Sequence, residues 1–446
     1  MKNVILLSLA LIAHASCATY SLTPLGEIPR SEDTLWSGVA ILQGHTTPFS
    51  TQISLLLPKS KRFSFSLKEI QSDRKIPAQQ SQWRGRENSE WGVQHLYYET
   101  LRPGEHYQLR VMDSKGTIVD ERDLSTLDTR KSLARWVVAS CMDDFFRELQ
   151  IDMWREVQAH RPQMLFLIGD NVYADTRGGQ KISPEEVTPS LIWTRYVETW
   201  LSLELFRMKR LIPSVAIWDD HDFGVNNGDR NFRYRAESLA IFESFYPQAA
   251  LGGALEKGPG ISLAFRAWGQ QFLLLDNRSF RSAKGESPQT HFGAEQTQWI
   301  LKKIRAFSGP TILMAGNQWF GGYHSFESFE GNHPLDFAAF LSELKATGRK
   351  VFFISGDRHL TELMRVTKEA LGYETYELTS SGIHAKIYPS TWRENPNPRQ
   401  IEGVASVQNY AVIESEPTQK NGGIKLGISS WGANLKELYR ERVTIE

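Results

Sequence analysis

Cysteine is nearly missing from this chain: Cys17 and Cys141 are the only two in 446 residues. A small disulfide-stapled scaffold is thereby excluded. Excess charge of either sign is missing as well, because Lys plus Arg and Asp plus Glu both number 51. That balance argues against a strongly basic nucleic-acid surface and against a polyacidic tail, though not against a local basic groove. After the N-terminus, no apolar run reaches the roughly 18 residues of a membrane helix. Neither an internal repeat nor a low-complexity linker interrupts the chain. What is present is a globular composition, 41% hydrophobic with 13 Trp, at a length that suits about two or three domains.

The N-terminus reads as a signal peptide over residues 1–18. Lys2 gives the positive start, Val4 to Ala13 the apolar stretch, and Ala13-His14-Ala15 an A-x-A cleavage pattern. The stretch is too short to span a bilayer, so the chain is expected to be exported, to a periplasm or the extracellular space. Lipid anchoring through Cys17 is the lesser alternative, because His14 stands where a lipid-modified cysteine normally has Leu before it.

Residues 19–131 are expected to form an antiparallel β-sandwich. Apolar or alternating runs at Gly38–Gln43, Gln52–Pro58 and Arg62–Leu67 are broken by turn residues. His95–Gly104 followed by His106–Met112 resembles the fibronectin-type pattern of a leucine corner and a Pro-Gly turn before a Tyr-bearing strand. No chemistry is assigned to this part. From Ser132 to Glu446 the pattern changes to an α/β layered domain. Buried strands alternate there with helical stretches at Phe145–His160, Pro184–Arg207, Asn231–Phe245, Ala294–Ala306 and Pro334–Thr347. The end of the chain, from about Tyr373, reads again as strands and loops.

Four short apolar runs in this second part each end in residues that bind metals. They are Trp136–Asp143, Met164–Tyr173, Ser214–Asp222 and Val351–His359. Such runs read as strands buried on both faces, and ligands in open α/β sheets collect beyond the carboxyl ends of such strands. Hard cations want oxygen, which Asp143, Asp170 and Asp357 offer. Cys141, Tyr173 and His359 add softer ligands suited to iron or zinc. Each residue has a plainer reading: a Gly-Asp turn, a buried inert thiol, a tyrosine packed behind Asp170. Their recurrence at four strand ends makes a polynuclear metal site the leading idea.

Ser140-Cys141-x-Asp143, Gly169-Asp170-x-x-Tyr173, Trp218-Asp-Asp-His221-Asp with Asn226, Asp276-x-Arg278 and Ser355-Gly-Asp357-x-His359 occur in the order found in PhoD-type phosphatases. Over about Ser132 to Ala385 the chain resembles that group of calcineurin-like metallophosphoesterases. The resemblance implies a layered α/β metallophosphoesterase domain preceded by a small fibronectin- or Ig-like β-sandwich. It implies Fe3+ on Cys141, Asp143, Tyr173 and His359, with Asp170 as a bridge and calcium on Asn226 and Asp357. Zinc or manganese are possible substitutes. The sequence departs from the family around Asn226, which leaves Asn226 and Asp220 as alternatives for completing the second site. It also ends in strand-like text where some relatives have a closing helix, which implies a more open site.

The reaction so implied is hydrolysis of a phosphodiester or phosphomonoester by a metal-bound hydroxide. Arg278 is the expected phosphate clamp, with a structural pairing to Asp276 as the other reading. His221 is the expected proton donor, oriented by Asp219 or Asp222, and Asp220 is counted with the catalytic residues. Arg358 faces either substrate or solvent, and His324 and His384 read as surface or core histidines. The rival functions are a metal-binding surface protein without activity and a hydrolase of non-phosphate esters. The expected partner is a phosphate-ester substrate; the oligomeric state is not written in the sequence.

Overall fold

In the computed structural model of the chain, the structure describes residues 39–390, 394–419 and 422–446. The expected signal peptide and Cys17 lie outside the described residues. Among those residues no helix is long and apolar enough to cross a membrane.

The first eight strands form two antiparallel sheets of four. One runs in the order Ala40–Thr46, Thr51–Pro58, Trp91–Tyr98, Gln80–Gly85; the other runs Lys75–Ile76, Phe63–Glu69, His106–Asp113, Ile118–Ser125. The corner anticipated between His95 and Met112 is present: Tyr107 Oη accepts the backbone N–H of Arg102 at 2.7 Å. Period-two alternation explains why the strands Ala40–Thr46 and Thr51–Pro58 of the first sheet are buried on both faces. Ile41, Ile53, Leu55 and Leu96 point into the sandwich core. Their alternates Ala40, Leu42, Leu56 and Val93 point into the core of the second part.

The second part contains two larger sheets packed face to face. The six-stranded one runs Ser214–Ile217, Met164–Ile168, Ala134–Ala139, Tyr410–Pro417, Ile424–Gly432, Lys436–Ile445. Its first three strands are parallel and its last three antiparallel. The eight-stranded sheet has a parallel centre, Gln270–Leu274, Thr311–Met314, Val351–Ser355 and Thr375–Ser380. Trp136 and Phe166 from one sheet meet Phe272 from the other, at ring separations of 5.8 and 5.1 Å. Helices occur where the spacing predicts them, at Arg147–Ala159, Pro189–Ser202, Arg235–Phe245, Gly293–Arg305 and Pro334–Ala346. The edge strand Lys436–Ile445 closes the six-stranded sheet.

This arrangement brings the carboxyl ends of both parallel sets to one edge. The sheets are stitched there: Ser140 Oγ donates to the carbonyl of Ser380 at 3.0 Å, and the N–H of Ile383 donates to the carbonyl of Ser140 at 3.1 Å.

Candidate metal centre

Three of the four strand ends turn sharply. Cys141, Asp170, Asp357 and His359 have φ of 56°, 52°, 67° and 50°. Left-handed backbone costs an L-residue about 1–2 kcal/mol and persists only when the surroundings impose it. Here the turns impose it on one another. Cys141 N–H donates to the carbonyl of Gly169 at 3.1 Å, and Met142 N–H to that of Asp170 at 2.9 Å. The Cys141 thiol consequently lies 3.4 Å from Asp170 Oδ2. Gly169, at φ 109°, is required by closeness as well as by conformation, since a Cβ there would stand 2.7 Å from Cβ of Asp219.

Three groups of side chains result, each with its ligand atoms within 4.8 Å of one another: Cys141, Asp170 and His359; Asp170, Asp220 and His221; Asp170, Asp219, Asp220 and Asp357. Asp170 belongs to all three. Tyr173 joins the first corner, with Oη 3.3 Å from Nε2 of His359. Asp143 lies beside that corner but in none of the groups. It is half-buried, and its Oδ1 accepts the N–H of Phe145 at 2.9 Å. Of the alternatives for the second site, Asp220 stands in the carboxylate group. Asn226 is exposed, with its backbone N–H on Asp175 Oδ2 at 2.8 Å.

His221 is oriented by Asp175, whose Oδ1 is 2.6 Å from Nδ1, and its ring stacks on Tyr173 at 4.3 Å. This corrects the expectation of Asp219 or Asp222. Asp222 is occupied by the backbone N–H groups of Asn171, Val172 and Asp219, at 2.9, 3.0 and 3.0 Å. Asp219 accepts from Asn277 Nδ2 at 2.7 Å and from Arg278 Nε at 2.5 Å.

Arg278, the expected phosphate clamp, is paired within the protein. Its guanidinium is fully buried and committed to carboxylates, Asp219 on one side and Glu327, at 2.7 Å, on the other. A buried acid such as Asp219 needs a nearby positive charge, and Arg278 supplies it. Its Nη2, ion-paired with Asp219, is buried with no hydrogen-bond partner. Asp276 receives the backbone N–H of Arg278 at 3.0 Å, not its side chain. His384 is a core histidine, accepting from Trp154 Nε1 at 3.1 Å while its Nδ1 lies 3.1 Å from the carbonyl of Asp143. His324 is buried too, 2.7 Å from Gln318 Oε1. Asp175 and Glu327 were missed. Asp175 had a signal, standing two residues after Tyr173; Glu327 had none.

The electrostatics favour a cation. Burial pushes the Cys141 thiol up to about 11, and the nearby Asp357 and Asp219 add to the rise. Burial also carries Asp170 well above the carboxylate range, with Cys141 adding to it. Tyr173 is raised by burial, then by Cys141 and Asp170. Asp219 Oδ2 is buried with no hydrogen-bond partner. Crowded acids and an orphaned oxygen around one carboxylate are what a site for positive ions requires, so the donor set fits metal binding. His221 moves the other way. Burial would lower it, but Asp220, Asp170 and Asp175 outweigh burial and hold the imidazole charged.

No protein-family model matches this sequence, and no curated protein matches it. The solved structure of PhoD matches it at 14% identity, covering 93% of this chain and 93% of that one, with a TM-score of 0.70. A structure of astrotactin-2 also matches, over 24% of this chain and 23% of that one at 10% identity, but its TM-score of 0.16 carries no argument. With the sandwich, the paired sheets and the shared edge all in place, the chain has a PhoD-type fold.

Proposed function

We propose that this protein is an exported metal-dependent phosphoesterase, with a signal peptide at 1–18, a sandwich at 19–131 and the hydrolytic domain at 132–446. The observation that carries the reading is the membership of Asp170 in all three ligand groups. One carboxylate touching several donor sets is what adjacent ions share. Cys141, Tyr173 and His359 have the chemistry to hold iron, with Asp143 close by. Asp220 and Asp357, joined by Asp219, offer the oxygens that calcium prefers.

When bound, such ions would supply a nucleophilic water at neutral pH and neutralise phosphate charge. The chain's own residues provide the rest. Asp175 holds Nδ1 of His221 and leaves Nε2 to give its proton to the departing alcohol oxygen. Tyr173 keeps that ring in place by stacking on it.

The test is to purify the protein from cells grown with iron and calcium, then measure bound metal and hydrolysis of a chromogenic phosphodiester and monoester. Stoichiometric iron and calcium-dependent turnover, both lost in Cys141→Ala, are expected. The ratio of the two rates assigns diester or monoester preference. A tyrosinate on ferric iron also gives visible absorption, which Tyr173→Phe removes. A well-folded protein that binds no metal sinks the reading; metal without turnover on either ester returns the non-hydrolytic alternative.

A further inference from the structure

Arg358 differs from the other arginines near the site. It sits between Asp357 and His359 and is only 7% exposed. Its Nε is buried with no hydrogen-bond partner, and among the described residues its guanidinium makes no ion pair. Arg278 and Arg281, by contrast, both pair with Glu327. The Arg358 guanidinium stacks on a ring: the guanidinium carbon lies 4.2 Å from the centroid of Phe326.

Withdrawing a cation from water is costly unless something replaces the lost hydration, and one aromatic face replaces only part of it. Stacking uses the flat face of a guanidinium. The N–H fork lies in the plane and stays free for a planar, bidentate partner such as phosphate.

We infer that Arg358, pinned by Phe326, is the phosphate-binding arginine of this protein. The inference rests on the phosphoesterase reading and places the clamp beside the carboxylate group. Phe326 is a positioning residue: 44% exposed, it forms the rim against which the fork is held.

The experiment compares wild type, Arg358→Ala, Arg358→Lys and Phe326→Ala, with bound metal, KM, kcat and inhibition by inorganic phosphate measured for each. Arg358→Ala is expected to keep its metal and to raise both KM and the phosphate inhibition constant by about 10- to 100-fold. Lys, a point charge, restores part of this. Phe326→Ala raises KM several-fold (roughly the loss of one cation–π contact) with kcat nearly unchanged. If the wild type turns over phosphate esters and Arg358→Ala matches it in KM and phosphate inhibition, the reading stands and the inference falls. If the wild type turns over none, calorimetric titration of the metal-loaded proteins with inorganic phosphate decides. Binding weakened most in Arg358→Ala and less in Phe326→Ala upholds the clamp, and equal binding overturns it. Should Arg358→Ala lose metal, Arg358→Lys carries the same comparison.

Discussion

His221 is where charge, orientation and access meet on one side chain. Its Nδ1 is tied to Asp175 at 2.6 Å, one face is covered by Tyr173, and its side chain is 15% exposed. Removing the imidazole should therefore touch a proton transfer, and bound metal is measured alongside because His221 also belongs to one of the three ligand groups. His221→Ala is expected to lower kcat by about 10²- to 10⁴-fold. Asp175→Asn leaves the ring but loosens its orientation, and is expected to cost about 10- to 100-fold. The check is steady-state kinetics on an ester with a poor leaving group and on one with a good leaving group. A good leaving group needs no proton, so both variants should recover with it; an equal loss on the two esters would remove His221 from the role of acid.

At the scale of elements, the centre depends on turns that hold side chains in left-handed conformations. Gly169 is the position where this is easiest to test. Ala there would meet Asp219 at 2.7 Å and adopt φ 109°, whereas Ala at Gly116, with φ 81°, meets nothing within 4 Å. Gly116→Ala pays only the backbone strain, about 1–2 kcal/mol. Gly169→Ala is expected to lose more stability than that and to weaken metal binding, because Asp219 must move. Thermal melts and metal titrations of the two variants check it, and equal behaviour would mean that the approach to Asp219 does not matter. The same turns show what was legible in the sequence. Apolar runs such as Met164–Ile168 and Val351–Ser355 announced buried strands, and the residues after them include side chains that the structure gathers at one edge. The pairing of side chains from distant segments was not legible. Arg278 and Glu327 are 49 residues apart, and no periodicity links them, so their ion pair could not be read from the text. Arg358, hidden between two ligand positions, looked like either a substrate or a solvent residue until Phe326 appeared beneath it.

For the molecule as a whole, the sandwich is not an appendage. Its first sheet gives one face to each core, and polar contacts close the seam: Gln52 Nε2 donates to the carbonyl of Ala249 at 2.8 Å, and His95 Nε2 lies 2.7 Å from the carbonyl of Ser244. His45 is buried in the same seam, 5.3 Å from the ring of Phe265. Burial lowers His45 and His95 to about 4 from an ordinary 6.5, with Arg84 adding to the effect on His95. Between those values the unfolded chain binds protons that the folded chain does not. The stability that comes from keeping both rings neutral is therefore complete above about pH 6.5 and is lost as pH falls toward 4. Each histidine contributes a slope of at most about 1.4 kcal/mol per pH unit in that window. In His95→Gln the amide can still donate to Ser244, but nothing titrates. Urea unfolding at a series of pH values, at fixed metal, should give a shallower loss of midpoint on acidification for His95→Gln than for wild type. Parallel profiles would show that His95 is not held neutral by the seam. A shallower profile, with sandwich and α/β signals still melting together, would show that acid weakens the joint without dividing the molecule into two independently stable parts.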